Sequence, residues 1–144
     1  MEHTDTVKLL KECDAGSKMA VASIDEVLDR VTSSELKGLL QESKNHHEKL
    51  GNEIHSLLNE HGKAEKDPNP MAKGMSWMKT NMKLVMKESD HTIADLITDG
   101  CNMGVKLLNK YLNKYKAADE FSKDITKRLI NLEEELTVNI RSFL

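Results

Sequence analysis

Aromatic residues make up only 3% of this 144-residue chain, and there are just two prolines. Strands draw on aromatic and β-branched side chains, so the scarcity argues against a sheet and for helices. Two cysteines, Cys13 and Cys101, are too few for the disulfide framework of a small secreted domain, and a reducing cytosol is the expected compartment. Nowhere do 18 apolar residues follow one another, so no membrane-spanning helix is expected. The start, Met1-Glu-His-Thr-Asp5, lacks the basic and apolar stretches of a signal peptide, which again points to a cytoplasmic protein. There is no excess of positive charge either. A formal net charge of −3 offers nothing to hold a polyanion, and nucleic acid is not an expected partner. No Gly-rich phosphate loop is present, and neither cysteine has a histidine and an asparagine in a nucleophile pattern, so no catalytic motif is complete.

What is present is a helical rhythm. With 38% apolar and 31% charged residues, a chain of this size forms a single domain, residues 1–144, that buries roughly two-thirds of its unfolded surface. Leu10, Cys13, Ser17, Ala20, Ile24, Val27 and Val31 alternate spacings of three and four, the stripe of a helix packed along a bundle axis, predicted over residues 4–31. Thr32, Ser33 and Ser34 supply hydroxyl N-caps for a second helix. Its stripe runs through Leu36, Leu40, Ser43, His47, Leu50, Ile54, Leu57 and His61 and stops at Gly62, suited to a left-handed C-cap. The short turn makes these two helices an antiparallel hairpin over residues 4–61. After a charged, proline-broken linker from Lys63 to Pro70, a stripe of Met71, Met75, Met78 and Met82 predicts an amphipathic helix to about residue 88. Ser89 or Asp90 can cap a long helix over about residues 90–115, and a turn at residues 116–119 leads to a last stripe of Ser122, Thr126, Leu129, Glu133, Leu136, Ile140 and Phe143.

The second hairpin, residues 90–144, repeats the first. At an offset of 86, Asn45, Glu48, Leu50, Ile54, Ser56 and Leu58 recur as Asn131, Glu134, Leu136, Ile140, Ser142 and Leu144. At an offset of 84, Gly16, Met19, Val21 and Leu28 recur as Gly100, Met103, Val105 and Leu112. Two helix matches at nearly equal offsets point to a duplicated hairpin and hence a four-helix bundle. The connection over residues 62–89 far exceeds the roughly two to eight residues that join neighbouring bundle helices. A helix from Met71 to Glu88 would cover about 27 Å, much of a bundle's length, as a crossover does.

A duplicated hairpin with a crossover and polar residues at mid-core resembles the ferritin-like superfamily. More narrowly, Asp14-Ala-Gly-Ser-Lys18, His47-Glu-Lys-Leu50, the Met- and Trp-bearing segment and Asp99-Gly100 resemble a bacterial ferritin-like family known only as a domain of unknown function. The resemblance implies an all-α, ferritin-like four-helix bundle and an ancestral di-iron site. Such sites take a Glu from each of two helices and Glu-x-x-His from each of the others. Here only fragments match: His47 stands for one histidine, Lys44 replaces its Glu, and Glu133 replaces the second histidine.

Folding each hairpin about its turn brings Ser17, His47, Cys101 and Glu133 to one level, with Cys13 and Ser43 a layer away. His47 corresponds to Glu133 in the repeat. Two readings follow. His47 and Glu133 satisfy each other as a structural pin or a remnant, leaving a non-catalytic structural or interaction module with a degenerate di-iron site. Alternatively His47, Glu133, Cys101 and Cys13 hold iron or zinc, which accept mixed N, S and O ligands, in a redox or metal-handling protein. The face of Met71, Met75, Met78, Met82 and Trp77 packs on the bundle or, if open, is the surface for a homo-oligomer or protein partner.

Overall fold

The computed structural model describes residues 2–62 and 89–144, with side chains from Thr4 onward. They form four helices, α1 (Glu2–Leu28), α2 (Ser34–Glu60), α3 (Asp90–Lys114) and α4 (Glu120–Ile140), followed by one 3-10 turn (Arg141–Phe143). No strand occurs among the described residues, so the all-α expectation holds. The linker and the Met-rich crossover helix expected over residues 63–88 lie outside the described residues, as do Met71, Met75, Trp77, Met78 and Met82.

The stripes bury as the periodicity requires. Leu10, Cys13, Ile24 and Val27 on α1, Leu36, Leu40 and Ile54 on α2, Leu108 on α3, and Leu129 and Ile140 on α4 are at most 1% exposed. Full burial of one such aliphatic side chain stabilises by roughly 1.5–3 kcal/mol. Two details differ from the expectation. The first helix stops at Leu28, three residues short of Val31, which still packs into the core from the turn. Near the end of α2 the stripe passes to Leu58, fully buried, while Leu57 is only partly so, because a 3.6-residue period drifts against strict three-and-four spacing. Gly62 adopts φ +69°, the left-handed conformation anticipated for it.

Contacts at the two ends define the topology. Asp90, at the start of α3, accepts from the backbone N–H groups of Thr32 and Ser33, both at 2.8 Å, and from the Thr32 hydroxyl at 2.9 Å. The α1–α2 turn and the start of α3 therefore share one end of the bundle. At the other end Asp5 accepts from the backbone N–H of Ala117 at 3.0 Å, and Thr6 accepts from that of Asp119 at 2.8 Å. Hence α1 and α4 point one way and α2 and α3 the other, an up-down-down-up order. Gly62 and Ser89, the described ends of the long connection, lie at opposite ends of the bundle. Around its perimeter α1 packs on α2, α2 on α4, α4 on α3 and α3 on α1, and α1 also reaches α4 across the diagonal.

These end contacts carry the repeat into three dimensions. Ser33 caps α2 by accepting from the Leu36 N–H, and Asp119, 86 residues later, caps α4 by accepting from the Ser122 N–H. Ser33 in turn donates its N–H to Asp90, while Asp119 donates its own to Thr6, the position 84 residues before Asp90. Each hairpin turn is thus tied down by the first turn of the other hairpin. Asp90 does not cap its own helix, since its carboxylate is spent on the facing turn, and Ser89 at the N-cap position makes no side-chain cap bond. The Thr32 and Ser33 N–H groups hold the Asp90 carboxyl below the usual carboxylate range.

Asp90→Ala removes three hydrogen bonds at one tie. A loss of about 1 kcal/mol is expected, comparable to loss of an N-cap, seen as a melting temperature lower by a few degrees with unchanged helicity.

Candidate functional site

The polar layer foreseen at mid-bundle is present and divides the apolar core in two. Leu9, Leu50, Ile54 and Leu129 pack in one half, and Ile24, Leu36, Leu40 and Ile140 in the other. Between them stand His47 on α2 and Glu133 on α4, 0% and 3% exposed, with His47 Nε2 3.4 Å from Glu133 Oε2. Removal of an imidazole and a carboxylate from water is costly unless each finds a partner.

The proton positions follow from what faces the ring. His47 Nδ1 lies 2.8 Å from the backbone carbonyl of Ser43, which can only accept, so Nδ1 carries hydrogen and donates. The Ser43 hydroxyl adds a contact at 3.3 Å. Nε2 has no formed hydrogen bond; 3.4 Å to the carboxylate is an ion contact, long for a hydrogen bond. On a neutral ring Nε2 would present a lone pair to the carboxylate, whereas a proton there makes the contact attractive. Burial works against the charged ring, but the facing Glu133 carboxylate and the Ser43 carbonyl outweigh it, so the His47 pKa is raised.

Glu133 is accommodated by a glycine. A Cβ at Gly104 would stand 2.9 Å from Glu133 Oε1. The corresponding residue of the first repeat is Ala20. Beside them Glu133 and Cys101 border a cavity of about 20 Å³ with Met19, Ile24, Ile97 and Leu136, room for about one water by volume. Burial first, then the charge and hydrogen bonding of Glu133, push the Cys101 thiol well above its usual range.

Cys13 is engaged elsewhere. Thr126 donates its hydroxyl to the carbonyl of Ser122 at 2.7 Å, which leaves Thr126 Oγ1 to accept from the Cys13 thiol at 3.1 Å. Burial pushes this thiol up to about 12 despite the Thr126 bond. Both thiols are free, and with pKa values raised by burial neither is activated as a nucleophile.

The residues picked out in the sequence therefore sort into groups. His47, Glu133 and Cys101 meet at the waist, Ser17 packs against Gly51 next to them, and Cys13 is bonded to Thr126. The remaining carboxylates near a di-iron position turn away: Asp14 pairs with Lys18 at 2.8 Å, and Asp99 is exposed. Lys44, where the di-iron pattern needs a Glu, pairs with Asp25 at 2.6 Å. Among the described residues no group of three or more His, Cys, Asp or Glu side chains is arranged to hold a metal ion. The donors present do not fit a di-iron centre.

Two further polar features were not foreseen. An open groove of about 690 Å³ between α1 and α2 has Asp14, Ser17, His47 and Gly51 among its walls. Asp14, only 1% exposed, meets Lys18 and, at 3.6 Å, His55 Nδ1 there. On the opposite flank of α1, Glu12 shares a hydrogen bond with Tyr111, and burial raises the pKa of both, Tyr111 to about 12. Thr126 stood on the expected stripe of the last helix. Asp14 and Glu12 lie beside the α1 stripe and nothing in the local sequence marks them as buried; Asp14 meets His55 of α2 and Glu12 meets Tyr111 of α3.

The fold and the waist define a four-helix bundle protein with a polar pair buried at its centre. Residues 5–114 match the family described as Domain of unknown function (DUF2383), and the chain belongs to that family. No curated protein and no solved structure matches it. The matched residues cover α1 to α3; α4, which carries Glu133 and Thr126, lies beyond them.

Two measurements address the waist. Because the folded pKa of His47 lies above the ordinary 6.5, its contribution to stability is complete below 6.5 and is lost as pH rises through the folded value. Denaturant titrations from pH 6 upward are expected to show stability falling in the wild type and a flatter profile in Glu133→Gln. Gly104→Ala presses a methyl group on Glu133 and is expected to cost about 1–3 kcal/mol, the range of an overpacked core.

Proposed function

We propose that this protein is a ferritin-like bundle whose ancestral metal site is degenerate and that it acts as a non-catalytic structural or interaction module. The observation that carries the reading is the pairing at the waist. His47 and Glu133 face each other across 3.4 Å, and Cys13, a thiol that could extend a donor set, is bonded to Thr126 instead. A pair that neutralises its own charges leaves little free valence for a ligand. Up-down-down-up topology and a long connection between the hairpins agree with a ferritin-like ancestry.

As an interaction module the protein would work in the cytoplasm, as a homo-oligomer or with a protein partner. No described helix is long and apolar enough to cross a membrane. Left open, the face of Met71, Met75, Met78, Met82 and Trp77, which lies outside the described residues, would be part of the partner surface.

Metal content decides between this reading and metal handling. Protein purified without chelators or a histidine tag is expected to carry substoichiometric iron and zinc by elemental analysis. Stoichiometric metal that disappears in His47→Ala or Glu133→Ala would overturn the structural reading.

A further inference from the structure

His47 and Glu133 occupy equivalent positions of the two repeats, 86 residues apart, and they touch each other. When two related units pack so that equivalent residues meet, those residues lie on the two-fold axis relating the units. The reciprocal end ties obey the same axis, since Ser33 to Asp90 and Asp119 to Thr6 are one contact seen from the two sides. α2 packs on its counterpart α4, and α1 on its counterpart α3, as such an axis requires.

A residue on the axis of a symmetric pair faces its own copy. If the α1–α2 hairpin packed on the α1–α2 hairpin of a second chain, His47 would face His47 in a buried layer. If the α3–α4 hairpin did so, Glu133 would face Glu133. Two buried carboxylates, or two imidazoles each already donating Nδ1–H to its own helix, repel or stay unsatisfied. Only the mixed pair brings a cationic ring to a carboxylate. Other contacts between the hairpins also favour the mixed pairing, Arg128 with Glu53 and Glu12 with Tyr111 among them, but these lie off the axis; the waist is the buried charged pair whose two members are repeat equivalents. Apolar packing accepts either hairpin, and a buried polar pair at one position selects register and partner.

We propose that the His47–Glu133 contact is a matching device by which the α1–α2 hairpin accepts an α3–α4 hairpin and rejects a second copy of itself. The proposal rests on the structural reading of the waist and gives it a purpose, the correct pairing of two similar halves joined by a long connection. It also names the partner the hairpin surface fits: the complementary hairpin, supplied by the same chain.

The test uses full-length chains. His47→Glu carries a carboxylate at both axis positions and Glu133→His an imidazole at both, so each alone has a like pair in every arrangement of its hairpins. Each single variant is expected to lose most of the cooperative melt. The exchanged variant His47→Glu/Glu133→His is expected to recover a cooperative melt well above that of either single variant, short of the wild type because a carboxylate at position 47 meets Ala20 where Glu133 meets Gly104. When the two single variants are unfolded together and refolded at equal concentration, complementary pairs can form only between chains. A 1:1 mixed dimer is then expected as the main species by native mass spectrometry, with helicity restored. That result is accessible even if each single variant fails to fold by itself. Absence of mixed dimers, or an exchanged variant no better than the singles, would overturn the matching device. Neither outcome alters the metal content that judges the structural reading.

Discussion

A carboxylate and an imidazole withdrawn from water at the middle of a helical bundle must answer each other, and much of this structure is arranged around that requirement. Glu133 reaches the centre because Gly104 leaves space for its carboxylate. His47 is oriented by the Ser43 carbonyl, which takes its Nδ1 hydrogen and turns Nε2 toward Glu133. The core is consequently two apolar halves joined at a charged waist rather than one continuous cluster. A buried pair of this kind contributes little net stability compared with apolar side chains of the same volume. Its value lies in specificity, because any arrangement that separates the two partners strands a charge.

The same economy appears at the ends of the bundle. Backbone N–H groups at a helical turn need acceptors, and here each turn borrows them from the first turn of the opposite hairpin. These ties and the waist place polar constraints at three levels along an otherwise apolar interface. Packing alone would leave two similar hairpins free to slide by a helical turn. Three polar levels with defined donors and acceptors remove that freedom.

Membership in a family without an assigned function leaves the chemistry to be argued from the residues. Polar side chains around the waist are engaged with one another. Lys44 points to Asp25, Asp14 to Lys18 and His55, and Cys13 to Thr126, each serving a contact within or between helices.

Periodicity in the sequence was enough to locate the four described helices and most of the core, and residue type placed the hydroxyl cap within 32–34 and the left-handed turn at Gly62, since an apolar stripe has only one way to bury itself on a helix. The repeat offset even placed His47 opposite Glu133, because duplicated hairpins related by a two-fold axis must bring one equivalent pair together. Tertiary structure alone decided which polar residues meet off that axis. Asp90 reads locally as a helix cap, yet it binds a turn 58 residues away, and Asp14 and Glu12 read as surface residues, yet they are buried. The reason is geometric. A stripe records which side of a helix is apolar, but how far a neighbour covers the flanks of that stripe, and the side-chain partners available at each level, are decided only when four helices pack together.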